Sequence, residues 1–220
     1  MQNKMNKQEA RKIIVKGAQY FAHSSLTVGT WGNMSVRVND TLAITPSGMD
    51  YGSLKTGDVV IVGEKSLHLP SSELALHQAI YAARPDIQAL VHTHSVYATV
   101  LACKHLDLPI LTEDVAQLAN GNKIKCAKYA LAGTETLAQN AVNAMGNGFA
   151  VLLANHGAVV GGTNMRQAIL FAELLEKAAQ IYVNAKAMDN KIYPLSNKNI
   201  QTIKEFYFGH YAKLQNGDEE

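Results

Sequence analysis

The run Ala89-Leu-Val-His-Thr-His-Ser95 is apolar, β-branched at Val91 and broken at Ser95, the pattern of a buried strand that ends here. Residues two apart on a strand point to one face, so His92 and His94 project together from roots about 7 Å apart. A third histidine, His156, closes a second apolar run, Phe149-Ala-Val-Leu-Leu-Ala-Asn-His156, with Gly157 behind it. Two buried strands that each deliver imidazole at the carboxyl end predict a metal site at the edge of a sheet. A lone His-x-His is a weak signal, because histidines cluster by chance; the third histidine and a nearby carboxylate strengthen it.

Residues 7–23 carry Ile13, Ile14, Gly17, Ala18 and Phe21 at helical spacing and predict an opening amphipathic helix. Met34–Val38 and Thr41–Ile44 alternate like strands around a turn at Asn39-Asp40. Asp58–Gly63 reads as another strand and Ser66–Leu69 as a short one. Pro70-Ser-Ser-Glu73 predicts a serine-capped helix to about Ala83, stopped by Arg84-Pro85-Asp86. Past the histidine strand, a helix is expected near 96–104, a weak strand at Lys123–Cys126 and a Thr134-capped helix to about Met145. After the His156 strand come an Asn164-capped helix to about Ala187 and a last helix near 196–212 from Ser196. Runs of strands and strands alternating with helices are both present. They predict an α/β fold, a largely antiparallel mixed sheet covered by helices in three α/β/α layers.

Composition narrows the function. Apolar residues make up 47% of 220, enough for one sizeable core, and no linker or repeat divides the chain. One domain spanning 1–220 is expected, frayed from about residue 213. No apolar run approaches the ~20 residues of a membrane span, and the polar start resembles no secretory signal. Two cysteines, Cys103 and Cys126, make no disulfide framework, which fits a reduced cytoplasmic compartment. Net charge +2 without a basic block gives nucleic-acid binding no support.

Glu73 opens a predicted helix. Such an acid ordinarily only complements the helix dipole. Beside three histidines it can instead be a metal ligand or a base. His77, one helical turn on, is read as a buried structural histidine. Three small-residue loops, Gly29-Thr-Trp-Gly-Asn-Met-Ser35, Ile44-Thr-Pro-Ser-Gly48 and Pro70-Ser-Ser72, offer N–H groups, hydroxyls and amides. Each alone reads as an ordinary turn; together they suit a phosphate held without lysine or arginine.

These motifs resemble those of class II, zinc-dependent aldolases, in the L-fuculose-1-phosphate aldolase group of the class II aldolase/adducin superfamily. The resemblance runs from about residue 7 to 200, through Gly29-Thr-x-Gly-Asn-x-Ser-Val-Arg, Ile44-Thr-Pro-Ser-Gly, Leu69-Pro-Ser-Ser-Glu, His92-Thr-His and His156-Gly. It implies one Zn2+ per subunit on His92, His94 and His156, with Glu73 as fourth ligand at rest and as base in turnover. It implies a substrate phosphate held by Asn33, Ser47, Gly48, Ser71 and Ser72, with Thr30 and Gly32 shaping the loop. It implies reversible aldol cleavage of a small phosphorylated ketose to dihydroxyacetone phosphate and an aldehyde, through a metal-stabilised enediolate. It also implies a homotetramer with active sites at subunit interfaces. Sugar-phosphate epimerisation and methylthioribulose-phosphate-type dehydration are alternatives on the same metal, and an adducin-like binding domain is a remote one.

The chain departs from the group's pattern where a neighbouring subunit's tyrosine donates a proton. Glu113 and Asp114 stand there instead. They are expected either to serve as the acid or to be a solvated pair. Tyr207 and Tyr211 are candidates for the group's C-terminal tyrosine.

Overall fold

A computed structural model describes residues 5–207. Its centre is a seven-stranded sheet in the order β3-β2-β1-β4-β9-β8-β7. The strands are β1 Asn33–Val38, β2 Thr41–Ile44, β3 Val60–Ile61, β4 Ala89–Thr93, β7 Cys126–Ala127, β8 Ala150–Leu153 and β9 Gly157–Gly162. Every pairing is antiparallel except β7 with β8, so the sheet is mixed and largely antiparallel, as expected. A small separate ribbon pairs β5 Leu108–Pro109 with β6 Lys123–Ile124.

Among the described residues six α-helices flank the sheet: α1 Lys7–Ala22, α2 Leu74–Ala83, α3 Val96–Cys103, α4 Glu135–Met145, α5 Met165–Asp189 and α6 Asn197–Phe206. Strand β1 shows how they sort into layers, because its side chains alternate. Met34 points at Gly17 of α1, whose added Cβ would lie 2.9 Å from the Met34 sulfur and 3.3 Å from Met165 of α5. Ser35, one residue on, meets His77 and Tyr81 of α2 on the opposite face. Helices α1, α3 and α5 pack together, and α2 packs on α4. The buried apolar residues form one continuous cluster.

Local chemistry explains most of the elements. Asn6, Thr134, Asn164 and Ser196 cap α1, α4, α5 and α6 by accepting an N–H three residues on. The β1–β2 hairpin turns at Asn39, in the left-handed region at φ 51°. No helix among the described residues is long and apolar enough to cross a membrane.

Several elements differ from the sequence expectation. Strand β3 is confined to Val60–Ile61 rather than 58–63, because Asp58 accepts the Lys55 N–H at 2.8 Å in a turn and Gly63 leaves at φ 86°. Ser66–Leu69 is no strand: the Ser66 hydroxyl takes the His68 N–H at 3.2 Å, and Leu67 and Leu69 are exposed. Helix α2 has no serine cap. Glu73 occupies the cap position with its side chain uncommitted to the helix, while the Ser71 hydroxyl accepts the Glu73 N–H at 3.3 Å. Lys123–Cys126 is divided between the ribbon and the main sheet.

The largest omission from the sequence reading is β9. Its sequence, Gly157-Ala-Val-Val-Gly-Gly, has the glycines of a loop, yet they are there for packing. A Cβ on Gly161 would come within 2.7 Å of Ile87, and one on Gly162 within 2.6 Å of the Ala168 backbone. The β8 strand therefore ends at Leu153, and His156 lies in the hairpin turn rather than at a strand end. Helix α6 begins at its Ser196 cap; the rest of its expected extent, Tyr211 and the tail from 213 lie outside the described residues.

Candidate metal centre

Three neighbouring elements deliver the histidines. His92 is in β4, paired with Asn33 of β1 and Val159 of β9, and His94 is one residue past the strand. His156 reaches them from the β8–β9 turn, which can approach only because Gly157 has no Cβ; one there would lie 2.2 Å from the Thr93 carbonyl. The three donor nitrogens fall within 4.8 Å of one another, and the rings stand nearly perpendicular. Glu73, buried at the start of α2, completes the group. Its Oε2 is 2.9 Å from His92 Nε2, and its Oε1 is 3.5 Å from His156 Nε2.

This donor set fits a divalent metal. His92 Nδ1 lies 2.9 Å from the Ala158 carbonyl oxygen, which can only accept, so Nδ1 carries a proton. That hydrogen bond directs Nε2 into the group, the usual arrangement behind a metal-bound histidine. Nε2 then faces His94 Nε2 at 2.8 Å and Glu73 Oε2 at 2.9 Å. A single proton on Nε2 can satisfy one of these contacts, whereas a cation among them satisfies all. Glu73 Oε1 is buried and makes no hydrogen bond. Three imidazoles and one carboxylate suit zinc, among other divalent ions of the first transition series.

The electrostatics agree. Burial alone raises the Glu73 pKa, but His92, His156 and the Asn33 amide outweigh it and hold the carboxyl well below the usual range. Burial, then the neighbouring His92 and His156, push His94 down to about 4. Burial and His92 lower His156 as well. The lowered His94 and His156 favour the neutral imidazole and the lowered Glu73 the carboxylate, the forms in which these side chains bind metal.

Beneath Glu73 runs a chain of buried polar groups. Asn33 Nδ2 donates to Glu73 Oε2 at 3.0 Å. Its Oδ1 then accepts from His77 Nε2 at 2.5 Å. His77 Nδ1 accepts from the Ser35 hydroxyl at 2.6 Å, and Tyr81 OH donates to the Ser35 carbonyl at 3.0 Å. Because Asn33 Oδ1 only accepts, His77 carries its proton on Nε2. Burial pushes His77 down to about 3, so it is neutral. The reading of His77 as buried and structural holds, and its contact with the site runs through Asn33.

The loops expected to bind phosphate meet at this corner. Ser47 N donates to the Leu69 carbonyl at 3.0 Å and Ser71 N to the Thr45 carbonyl at 3.1 Å, which joins the second loop to the third. The first is pinned at Gly32, φ 79°, where a Cβ would lie 2.5 Å from the His92 carbonyl. Thr30, Gly32, Asn33, Ser47, Gly48, Ser71 and Ser72 line one cleft of about 210 Å³ with Glu73, His94 and His156. No lysine or arginine lines it. One of the two N–H groups of the Asn33 amide donates to Glu73, and the side chain still lines the cleft.

Glu113 and Asp114 do not reach this cleft within their own chain. They open a 3₁₀ helix, Glu113–Leu118, where the Asp114 carboxylate pairs with Lys177 of α5 and accepts from the Thr112 hydroxyl at 2.6 Å. Burial raises the Asp114 pKa, but Lys177 and Thr112 outweigh it and keep the carboxyl below its usual range. Glu113 is exposed. Tyr207 is half-buried at the end of α6. The sequence reading missed Trp31 and Ala132, which also line the cleft; Trp31 had a signal, as the one aromatic residue in a loop of small ones.

Comparison with known proteins gives a consistent picture. Residues 12–183 match the model of the family described as Class II Aldolase and Adducin N-terminal domain. A 5-deoxy-D-ribulose 1-phosphate aldolase of Bacillus thuringiensis is 40% identical over 198 residues, covering 85% of this chain and 91% of that protein. The L-fuculose phosphate aldolase of Escherichia coli K12 is 33% identical over 215 residues, covering 96% and 100%. A solved structure of L-fuculose 1-phosphate aldolase superposes with a TM-score of 0.88 at 35% identity, covering 94% of this chain and 99% of that one.

Proposed function

The chain belongs to the class II aldolase and adducin family, and from that membership we propose that it is a zinc-dependent aldolase cleaving a small ketose 1-phosphate to dihydroxyacetone phosphate and an aldehyde. The observation that carries the reading is the placing of Glu73. Its carboxylate stands 2.9 Å from His92 at the junction of the histidines and the three loops, in one cleft. A cleft of about 210 Å³ suits a phosphorylated sugar of a few carbons. The substrate is methyl-ended, of the L-fuculose 1-phosphate or 5-deoxyribulose 1-phosphate kind that the relatives' names give. Epimerisation and dehydration have no comparable support, since these relatives are named aldolases.

His92, His94, His156 and Glu73 would hold the metal. When bound, it supplies Lewis-acid polarisation to the carbonyl and neighbouring hydroxyl oxygens of the ketose. The backbone N–H groups and hydroxyls at Ser47, Gly48, Ser71 and Ser72 hold the phosphate and fix the sugar along the cleft. In cleavage the C3–C4 bond breaks and its electron pair stays with the dihydroxyacetone phosphate fragment. The C4 hydroxyl loses its proton, and Glu73 delivers one to C3. In synthesis Glu73 removes that C3 proton, and its depressed pKa supplies the ionised form the step requires. Asn33, fixed through His77, orients the carboxylate.

The protein acts as one domain in a cytoplasmic homotetramer, and the group exchanging the C4 hydroxyl proton comes from a neighbouring subunit. Glu113 suits that part better than Asp114, which Lys177 holds ionised. The test is turnover of L-fuculose 1-phosphate, 5-deoxyribulose 1-phosphate, ribulose 5-phosphate and methylthioribulose 1-phosphate by zinc-loaded protein. Release of dihydroxyacetone phosphate from either of the first two is expected. Epimer or dehydrated product without it would overturn the reading.

A further inference from the structure

Trp31 is the chain's one tryptophan, and it stands 65% exposed at the mouth of the cleft. Its ring lies over His94, centroids 5.6 Å apart at 34°. The backbone beneath is fixed: Trp31 N donates to the Val28 carbonyl at 3.3 Å, and the Trp31 carbonyl accepts from the Thr27 hydroxyl. His94 N donates to the Leu26 carbonyl at 3.2 Å, tying the start of the same loop to the end of β4. Trp31 and His94 also line a second, open hollow of about 320 Å³ together with Val28, itself 77% exposed. None of the phosphate-suited residues lines that hollow. The two spaces meet at Trp31 and His94.

We propose that Trp31 and Val28 form a subsite for the end of the substrate remote from the phosphate, and that it selects an apolar terminus, a methyl or thioether, over a hydroxymethyl. The proposal rests on the aldolase reading and deepens it. A ketose 1-phosphate with its phosphate at Ser47 and Ser71 and its oxygens at the histidines has its last carbons beyond His94. There, beside His94, this chain offers the Trp31 ring and the Val28 side chain, with no hydroxyl, carboxamide or carboxylate side chain. A terminal hydroxyl laid against the Trp31 and Val28 side chains loses part of its water and finds no hydroxyl, carboxamide or carboxylate side chain there, while a methyl group gains from covering the same apolar surface. Apolar pockets discriminate such pairs by about 10- to 100-fold.

The deciding pair is 5-deoxyribulose 1-phosphate and ribulose 1-phosphate, which differ only in the terminal hydroxyl. Wild type is expected to favour the deoxy sugar in kcat/KM, and Trp31→Ala to lower that preference about 10-fold, with Val28→Ser acting in the same direction. An unchanged preference, or an equal loss on both sugars together with altered subunit assembly, would overturn it and assign Trp31 to a subunit contact. The second measurement does not depend on turnover. Tryptophan emission of metal-stripped protein reports Trp31 alone, and the deoxy sugar should shift it further to the blue than ribulose 1-phosphate. Equal shifts, or none, count against the subsite. If wild type cleaves neither of these sugars nor L-fuculose 1-phosphate, the aldolase reading fails, and the fluorescence still decides the subsite.

Discussion

The two walls of the cleft are built by different means. The metal corner consists of side chains whose positions follow from sheet register: Asn33 opposite His92, and Leu153 opposite Gly157 at the turn that carries His156. The wall proposed to hold phosphate consists of loops placed by backbone hydrogen bonds, Ser47 to Leu69 and Ser71 to Thr45. In the corner each function rests on one atom of one residue. In the wall it is divided among several N–H groups and hydroxyls. Single substitutions in the corner should therefore cost far more than single substitutions in the wall.

The largest effect is expected at the histidines. Alanine at His92, His94 or His156 should reduce bound metal well below one per chain and lower kcat/KM by about 10³-fold or more, since metal polarisation is worth several kcal/mol. Metal analysis with turnover on the same sample checks it. A variant that keeps its metal and loses less than 10-fold would break the contrast. Next comes Glu73→Gln, which leaves the three imidazoles in place but removes the proposed base. Metal should be retained while kcat falls by about 10²- to 10⁴-fold. Near-normal turnover would end the base assignment.

In the wall, Ser47→Ala removes an exposed hydroxyl and leaves the Ser47 N–H in its bond to Leu69. A hydrogen bond to a charged group contributes roughly 1.5–3 kcal/mol, so KM should rise about 10-fold or somewhat more while kcat changes little. A fall in kcat as large as that of Glu73→Gln would show that the wall, too, rests on single groups.

The same contrast governs what the sequence makes legible. The corner shows in residue types: His92 and His94 at strand spacing, His156 after an apolar run, Glu73 at a helix start. The wall shows only as small residues in turns, and its convergence depends on contacts such as Ser71 to Thr45 that span 26 positions. Strand β9 escaped because Gly161 and Gly162 obey packing against Ile87 and Ala168, and strand propensity cannot register a neighbour from elsewhere in the chain. The cap of α2 was misplaced for a related reason. Ser71 has the chemistry of a cap, but its hydroxyl is drawn into a turn and Glu73 takes the position. The bonds of Asn33 to Glu73 and His77 are equally illegible, because both partners come from another element.

The smallest effect at neutral pH belongs to His77, and acid enlarges it. Glutamine at this position can donate through its amide and accept through its carbonyl, so His77→Gln should keep the bonds to Asn33 and Ser35. Turnover at pH 7 should then stay within about threefold, since neutral hydrogen bonds are only reshaped. Stability differs between the two chains as pH falls. Below about 6.5 an unfolded histidine takes up a proton, whereas the folded His77, pushed down to about 3 by burial, does not. The unfolded chain then binds more protons, so this histidine's share of folded stability declines from pH 6.5 toward 3. That share is about 2 kcal/mol between pH 7 and pH 5. His77→Gln lacks it, while His94 and His156 titrate alike in both proteins and cancel in the comparison. Urea midpoints at the two pH values, on metal-stripped samples, should show a smaller acid loss in the variant. Equal losses would mean that His77 is reached by water and protonated in the folded chain, and the directed link from His77 through Asn33 to Glu73 would no longer stand.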